Sequence, residues 1–309
     1  MLGALEWWHL LSLDAPTVAG LWAWTFARAA GISLPFYAPL LLASGTWLLY
    51  VSDRILDGLR APSAENLRPR HHFYARHRGE FLAAAVLVGG VVLWLIVDKM
   101  PARVRREDTL LFTLAMGYFL LIHSPGKRPE DSLRRPTSPQ RRLVTRERWF
   151  PKELAVGFLF AAATAVPAWS RTPPHAALVP LVLLFAAICW LNCVAIESWE
   201  RLPVTALCAE PMASSAPAGP HVTTQFVGAH LRTASLVLAA LGFFVGIAGS
   251  FVADQNHGVA WTCACFAAAF SALLFALLDV LRRWLQPIHL RIAADAALLT
   301  PLLFLPFVR

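Results

Sequence analysis

The sequence predicts an all-α membrane protein, a bundle of about nine transmembrane helices. Three observations carry this expectation. Hydrophobic residues make up 57% of the 309 and charged residues only 15%, where soluble domains carry about 25% charged residues. Mean hydropathy is +0.55. The apolar residues are also gathered into long runs separated by basic connections. So little polar surface cannot coat a water-facing globule, and in lipid the backbone must satisfy its own polar groups, which favours helices.

The first segment, LGALEWWHLLSLDAP, predicts an interfacial helix over about 3–12 with Trp7 and Trp8 at headgroup depth. It lacks the basic start and small-residue cleavage site of a signal peptide. Asp14 and Pro16 then cap the first span. A bilayer core needs about 20 mainly apolar residues per helix. Runs of that kind fall at 15–32, 34–52, 81–98, 108–124, 153–170, 176–196, 232–252, 258–280 and 292–308. Prolines within them (Pro39, Pro167, Pro180, Pro301) are tolerated where neighbouring helices satisfy the freed carbonyls.

Charge sets the orientation. Connections after even-numbered spans hold most of the Lys and Arg, among them Arg54, Arg60, Arg70, Lys127, Arg128, Arg141, Arg142 and Arg201. The opposite side holds few, such as Arg28, Lys99 and Arg171. Positive charge stays inside, so the N-terminus is expected in the cytoplasm and the C-terminus outside, in an inner or plasma membrane. Three cytoplasmic loops are long, 53–80, 125–152 and 197–231, and the Pro- and Arg-rich middle of the second predicts disorder, as does AEPMASSAPAGPHVTT in the third. The whole of 1–309 is expected to form a single transmembrane domain. The net charge of +8 follows from these loops, so nucleic acid is not the expected partner and membrane lipid is. Five cysteines without CxxC pairs predict neither a disulfide framework nor a zinc site.

Two acidic clusters sit at the cytoplasmic ends of spans. YVSDRILDGLR closes the second span with Asp53 and Asp57, whose i, i+4 spacing puts both carboxylates on one helical face. Two carboxylates that close raise each other's pKa, and a hard divalent cation such as magnesium, bridging to phosphate, relieves the repulsion. WLNCVAIESWER closes the sixth span with Asn192, Glu197 and Glu200, with Asn192 and Glu200 ~80° apart around the helix. The structural alternative is a set of solvated span-end residues, with Asp57 paired to Arg54 or Arg60. Asp295 is expected to pair with Arg291 at i, i+4, and Asp279 to cluster with Arg282 and Arg283. Trp47, Tyr50, Trp190 and Trp199 lie near the acidic clusters and suit either an interface belt or the shielding of a cation.

Span count and motif placement resemble the UbiA superfamily of intramembrane prenyltransferases. Asp53 and Asp57 match the last two positions of that family's NxxxDxxxD motif, Leu49 standing where its asparagine would be. Asn66-Leu67-Arg68-Pro69 is similar to its Asn-x-Arg-Pro element, and His123–Arg128 (HSPGKR) to its Tyr-x-x-x-Lys-Arg element. The second motif is altered, with Ile196 and Glu200 at its acidic positions and Asn192 and Glu197 beside them. The resemblance implies a UbiA-like fold and an enzyme that ionises an isoprenyl diphosphate and transfers the prenyl group to a lipid or aromatic acceptor. It implies Mg2+ on Asp53, Asp57 and Glu200, with Asn192 and Glu197 completing the catalytic set and Arg70, Lys127 and Arg128 binding diphosphate. Two alternatives are carried: a terpene cyclase with the same first step, and a non-catalytic lipid-binding protein, which the altered second motif favours.

Overall fold

The computed structural model describes residues 3–60, 69–123, 151–171, 178–207, 221–252 and 255–307. Among them the chain is all-α. Helix α1 (Ala4–Leu10) precedes α2 (Asp14–Ala29) and α3 (Tyr37–Arg60), then come α4 (Pro69–Arg76), α5 (Arg78–Lys99), α6 (Ala102–His123) and α7 (Lys152–Trp169). The second half holds α8 (Val179–Leu207), α9 (Val222–Ala229), α10 (Leu231–Val252), α11 (Gln255–Leu281) and α12 (Pro287–Ala296), which runs on as a 3₁₀ helix, Ala297–Phe307. The tighter ending follows from Pro301 and Pro306, whose missing N–H groups deny the α-helical ladder two donors.

Five stretches among the described residues are long and apolar enough to cross a membrane: Arg78–Lys99, Val179–Glu200, Leu231–Phe251, Gly258–Leu281 and Pro287–Phe307. This supports an integral membrane protein. The expectation of about nine spans is met only to this extent. Helix also fills most of the other expected stretches, as α2, α3, α6 and α7, but α2 has only 16 residues and the others carry charges or polar ends. The connections expected on the cytoplasmic side differ as well. Within 53–80 and 197–231, α3 continues to Arg60, α4 forms, α8 continues to Leu207 and α9 forms. Hydropathy marks where an apolar run stops, whereas a helix runs on through polar residues until its hydrogen-bond ladder is broken. The connection 125–152 lies almost wholly outside the described residues.

Helices α8 and α11 form the centre. Trp22 of α2 stacks on Phe185 of α8 at 4.4 Å between centroids, and its indole donates to Leu298 O at 2.8 Å, tying the first long helix to the last. Small residues let α10 approach α11 closely: a Cβ on Gly242 or Gly246 would lie 3.0 Å from the Ala269 or Cys265 side chain. Ser271 Oγ and Thr300 Oγ1, 2.7 Å apart, join α11 to the 3₁₀ helix, and Thr300 donates on to Ala267 O. Apolar side chains left exposed, such as Val86, Leu87 and Trp94 on α5, and Phe244 and Phe251 on α10, are the lipid-facing surface such a bundle requires. The peripheral helices are less closely packed. Helix α5 rests on α3 and α6 on α7, leaving an apolar space among the four.

Candidate functional site

The site begins at the corner between α1 and α2. Ser12 has φ 57°, a left-handed conformation that costs a non-glycine residue about 1–3 kcal/mol unless its surroundings hold it. Here they do. Ser12 Oγ lies 2.6 Å from the Tyr74 hydroxyl and accepts a hydrogen bond from Arg54 Nη1. Arg54 also donates to the His9 carbonyl at 3.3 Å, and its guanidinium lies 5.6 Å from the centre of the Tyr74 ring. Trp47 Nε1 donates to Leu11 O at 3.0 Å. Helix α3 therefore clamps the corner. Arg54, read from sequence as a cytoplasmic loop charge, is 4% exposed.

The clamp sets a polar cluster into the bundle. His9 Nδ1 lies 2.9 Å from Asp14 Oδ2 and 3.8 Å from Asp295 Oδ2. Asp14 Oδ1 accepts from Ala15 N at 3.0 Å, and Asn192 Nδ2 donates to Asp295 Oδ1 at 3.1 Å. Arg291 Nη1 donates to Glu200 Oε1 at 2.6 Å. The ligating atoms of His9, Asp14 and Asp295 all lie within 4.8 Å of one another. A cavity of about 40 Å³ adjoins them, lined among others by Asp14, Tyr50, Asn192, Cys193 and Asp295.

Burial of the His9 imidazole lowers its pKa, against the opposing pull of Asp14. Burial alone would raise Asp14, but the hydrogen bond from His9 and the nearby Arg54 charge outweigh it and hold the carboxyl below its usual range. Both folded-state values lie below the unfolded ones, so the unfolded chain binds more protons in each window and stability falls on acidification. For His9 the loss begins as pH drops below about 6.5, for Asp14 below about 3.9. Thermal unfolding in detergent is expected to show Tm falling between pH 7.5 and 5.5, with His9→Gln flattening the slope. An identical slope in that variant would rule out His9 as its source.

A second cavity, of about 610 Å³, lies among α3, α5, α6 and α7. Leu41, Leu48, Leu49, Val92, Leu93 and Ile96 give it apolar walls. Along α3 it extends from Tyr37 to Ser52, about 22 Å at 1.5 Å per residue. Arg105, Asp108 and Arg171 border it near the Tyr37 end, and Ser52, next to Asp53, marks the other.

The expected site residues fall unevenly on this geometry. Asp53 is half-buried on α3, next in sequence to Ser52, which lines the large cavity. Asp57 and Arg70 lie in α3 and α4, but their side chains are outside the described residues, as are Lys127 and Arg128 altogether. Asn192 is buried and bonded to Asp295, while Glu197 is half-buried one turn further along α8. Glu200 is held by Arg291, which replaces the expected pairing of Arg291 with Asp295. Trp199 is buried and donates to Asp279 at 3.2 Å, and Arg282 donates to the same Asp279 oxygen at 3.1 Å, so that cluster fastens α8 to the end of α11. Sequence reasoning missed His9 and Asp14 as site residues, reading one as part of an interfacial helix and the other as a cap. The signal was there: two ionisable groups five residues apart in a nearly apolar segment. No protein-family model, curated protein or solved structure matches the chain.

Proposed function

We propose that the protein is an intramembrane prenyltransferase of the UbiA type, with nine spans, a cytoplasmic N-terminus and an outer C-terminus. It binds an isoprenyl diphosphate with the chain in the cavity among α3, α5, α6 and α7. The observation that carries this reading is the cavity itself. At about 610 Å³ it falls in the 300–1,000 Å³ range of ligand sites. It is long and apolar, and along α3 it ends at Ser52, next in sequence to Asp53. That form suits a branched hydrocarbon chain with a charged head at Asp53.

The residues assign themselves to parts of one reaction. The cavity excludes water from the allylic carbon. The bond from that carbon to the diphosphate oxygen breaks, and the diphosphate leaves with the electron pair. The acceptor attacks the carbon and gives up a proton. Arg70, Lys127 and Arg128 are assigned to the leaving anion, an electrostatic task. Asp53, next to Ser52, suits a magnesium ligand together with Asp57, and the ion would neutralise the diphosphate. Glu200 fits that set less well, because its Oε1 accepts from Arg291. The same observation favours a second reading, a lipid-binding protein without catalysis, and a cyclase differs from the leading one only after ionisation.

Purified protein in detergent, given magnesium and labelled isoprenyl diphosphates, is expected to release diphosphate when acceptor is added. Asp53→Asn or Asp57→Asn should reduce release by roughly 10²–10³-fold, the loss typical of one electrostatic contact to a reacting group. Release without acceptor would favour cyclisation. Binding without release would favour the lipid-binding reading. Undiminished release in both variants would refute the assigned site.

A further inference from the structure

We infer that His9, Asp14, Asp295 and Asn192 form a binding site for a divalent first-row transition cation, separate from the acidic pair on α3. Carboxylates alone would not carry this, since acidic side chains often meet without an ion. Four observations together do.

First, the ligand atoms are gathered within 4.8 Å of one another, so sub-ångström shifts bring them to metal spacing. Ligands about 2.0–2.2 Å from a metal sit roughly 3–3.5 Å from one another. His9 Nδ1 is 2.9 Å from Asp14 Oδ2 and 3.8 Å from Asp295 Oδ2. Second, a buried polar atom borders the same space. Asn192 is 8% exposed and lines the 40 Å³ cavity with both aspartates; its Oδ1 has no hydrogen-bond partner. An amide oxygen is an acceptor and a metal ligand, and an orphaned one at such depth is costly. Third, the cavity, lined by Asp14, Asn192 and Asp295 but not by His9, exceeds the 10–15 Å³ that one water requires, leaving room for a coordinated water on that side of the site.

Fourth, two carboxylates crowd one another at the site. Buried Asp14 and partly buried Asp295 lie near one buried arginine, Arg54, whose guanidinium donates to His9 O and Ser12 Oγ. The other guanidinium nearby, Arg291, donates its Nη1 to Glu200. Buried like charges in contact need a counter-ion or a proton. One imidazole, two carboxylates and an amide oxygen suit manganese, iron or zinc, because the imidazole favours the transition metals over magnesium. The site joins α1, α2, α8 and α12, so a bound ion would pin the first segment of the chain to the last helix.

The test titrates Mn2+ into EDTA-treated full-length protein in detergent, followed by electron paramagnetic resonance and Tm. An Asp53→Asn/Asp57→Asn form removes the acidic pair and isolates this site. That form is expected to bind one Mn2+ per chain and to gain Tm on binding. Adding Asp295→Asn should abolish the binding, and Asn192→Ala should weaken it about 10–100-fold. Asn192→Asp guards against a mere folding defect, since a ligand position gains affinity with the extra charge. Without a metal, three crowded carboxylates would lower Tm with no rescue by Mn2+. Absence of Mn2+ binding in the Asp53→Asn/Asp57→Asn form, or its retention after Asp295→Asn, would overturn the site. Either result leaves the diphosphate-release reading standing, because that depends on Asp53 and Asp57.

Discussion

Arg54→Ala is expected to be among the most destabilising single substitutions in the protein. The guanidinium donates to the His9 carbonyl and to Ser12 Oγ, packs over the Tyr74 ring and supplies positive charge beside Asp14. Removing it leaves a buried carboxylate without its main cationic neighbour and strips Ser12 of a contact that holds its left-handed backbone. Deleting one partner from a buried ionic network costs about 3–5 kcal/mol. Arg54→Lys should recover only part, because an ammonium lacks the planar fork that reaches two acceptors at once. Thermal unfolding in detergent, with limited proteolysis at the α1–α2 corner, measures the effect. Wild-type Tm and an uncut corner in Arg54→Ala would show that the clamp contributes little.

Gly45→Trp and Gly89→Trp are expected to abolish binding in the large cavity while leaving the fold intact. Both glycines line that cavity, and a Cβ built on either has no heavy atom within 4 Å beyond its own helix. Each indole therefore enters open space between helices. Replacing a helical glycine by tryptophan also gains roughly 0.3–0.5 kcal/mol of helix propensity, so Tm should hold or rise. Affinity for an isoprenyl diphosphate should drop at least about tenfold, or about 1.4 kcal/mol. Gly157 is a contrasting position: a Cβ there would meet the Trp190 backbone nitrogen at 2.7 Å, so Gly157→Ala should strain the α7–α8 packing instead. Unchanged ligand affinity in both tryptophan variants would move the ligand out of this cavity.

Much of the fold was legible because burial in lipid writes itself into composition. The apolar runs placed α5, α10 and α11, and the start of α8, within a few residues of their observed bounds. Helices α4 and α9 were not visible, since both are short and begin in segments whose hydropathy reads as loop. The 3₁₀ ending had a signal in Pro301 and Pro306, but proline tolerance inside spans made it ambiguous. The site was legible only in part. Asn192 and Asp295 meet across 103 residues of sequence, and Arg291 chose Glu200 over its own i+4 neighbour. Both outcomes depend on how α12 packs against α8, which no local spacing encodes. Asp53 lies half-buried in the last third of α3.

The central claim is that an isoprenoid chain lies among α3, α5, α6 and α7 with its head toward Asp53. Photo-crosslinking tests it most directly, using an isoprenyl diphosphate with a diazirine on its terminal isoprene unit, followed by peptide mapping. The account predicts labelling of cavity-lining segments of α3, α5 and α7, around Leu41, Leu93 and Ala163, competed by unlabelled isoprenyl diphosphate and lost in Gly45→Trp. Labelling confined to the lipid-facing surface of α10 or α11, without competition, would contradict it.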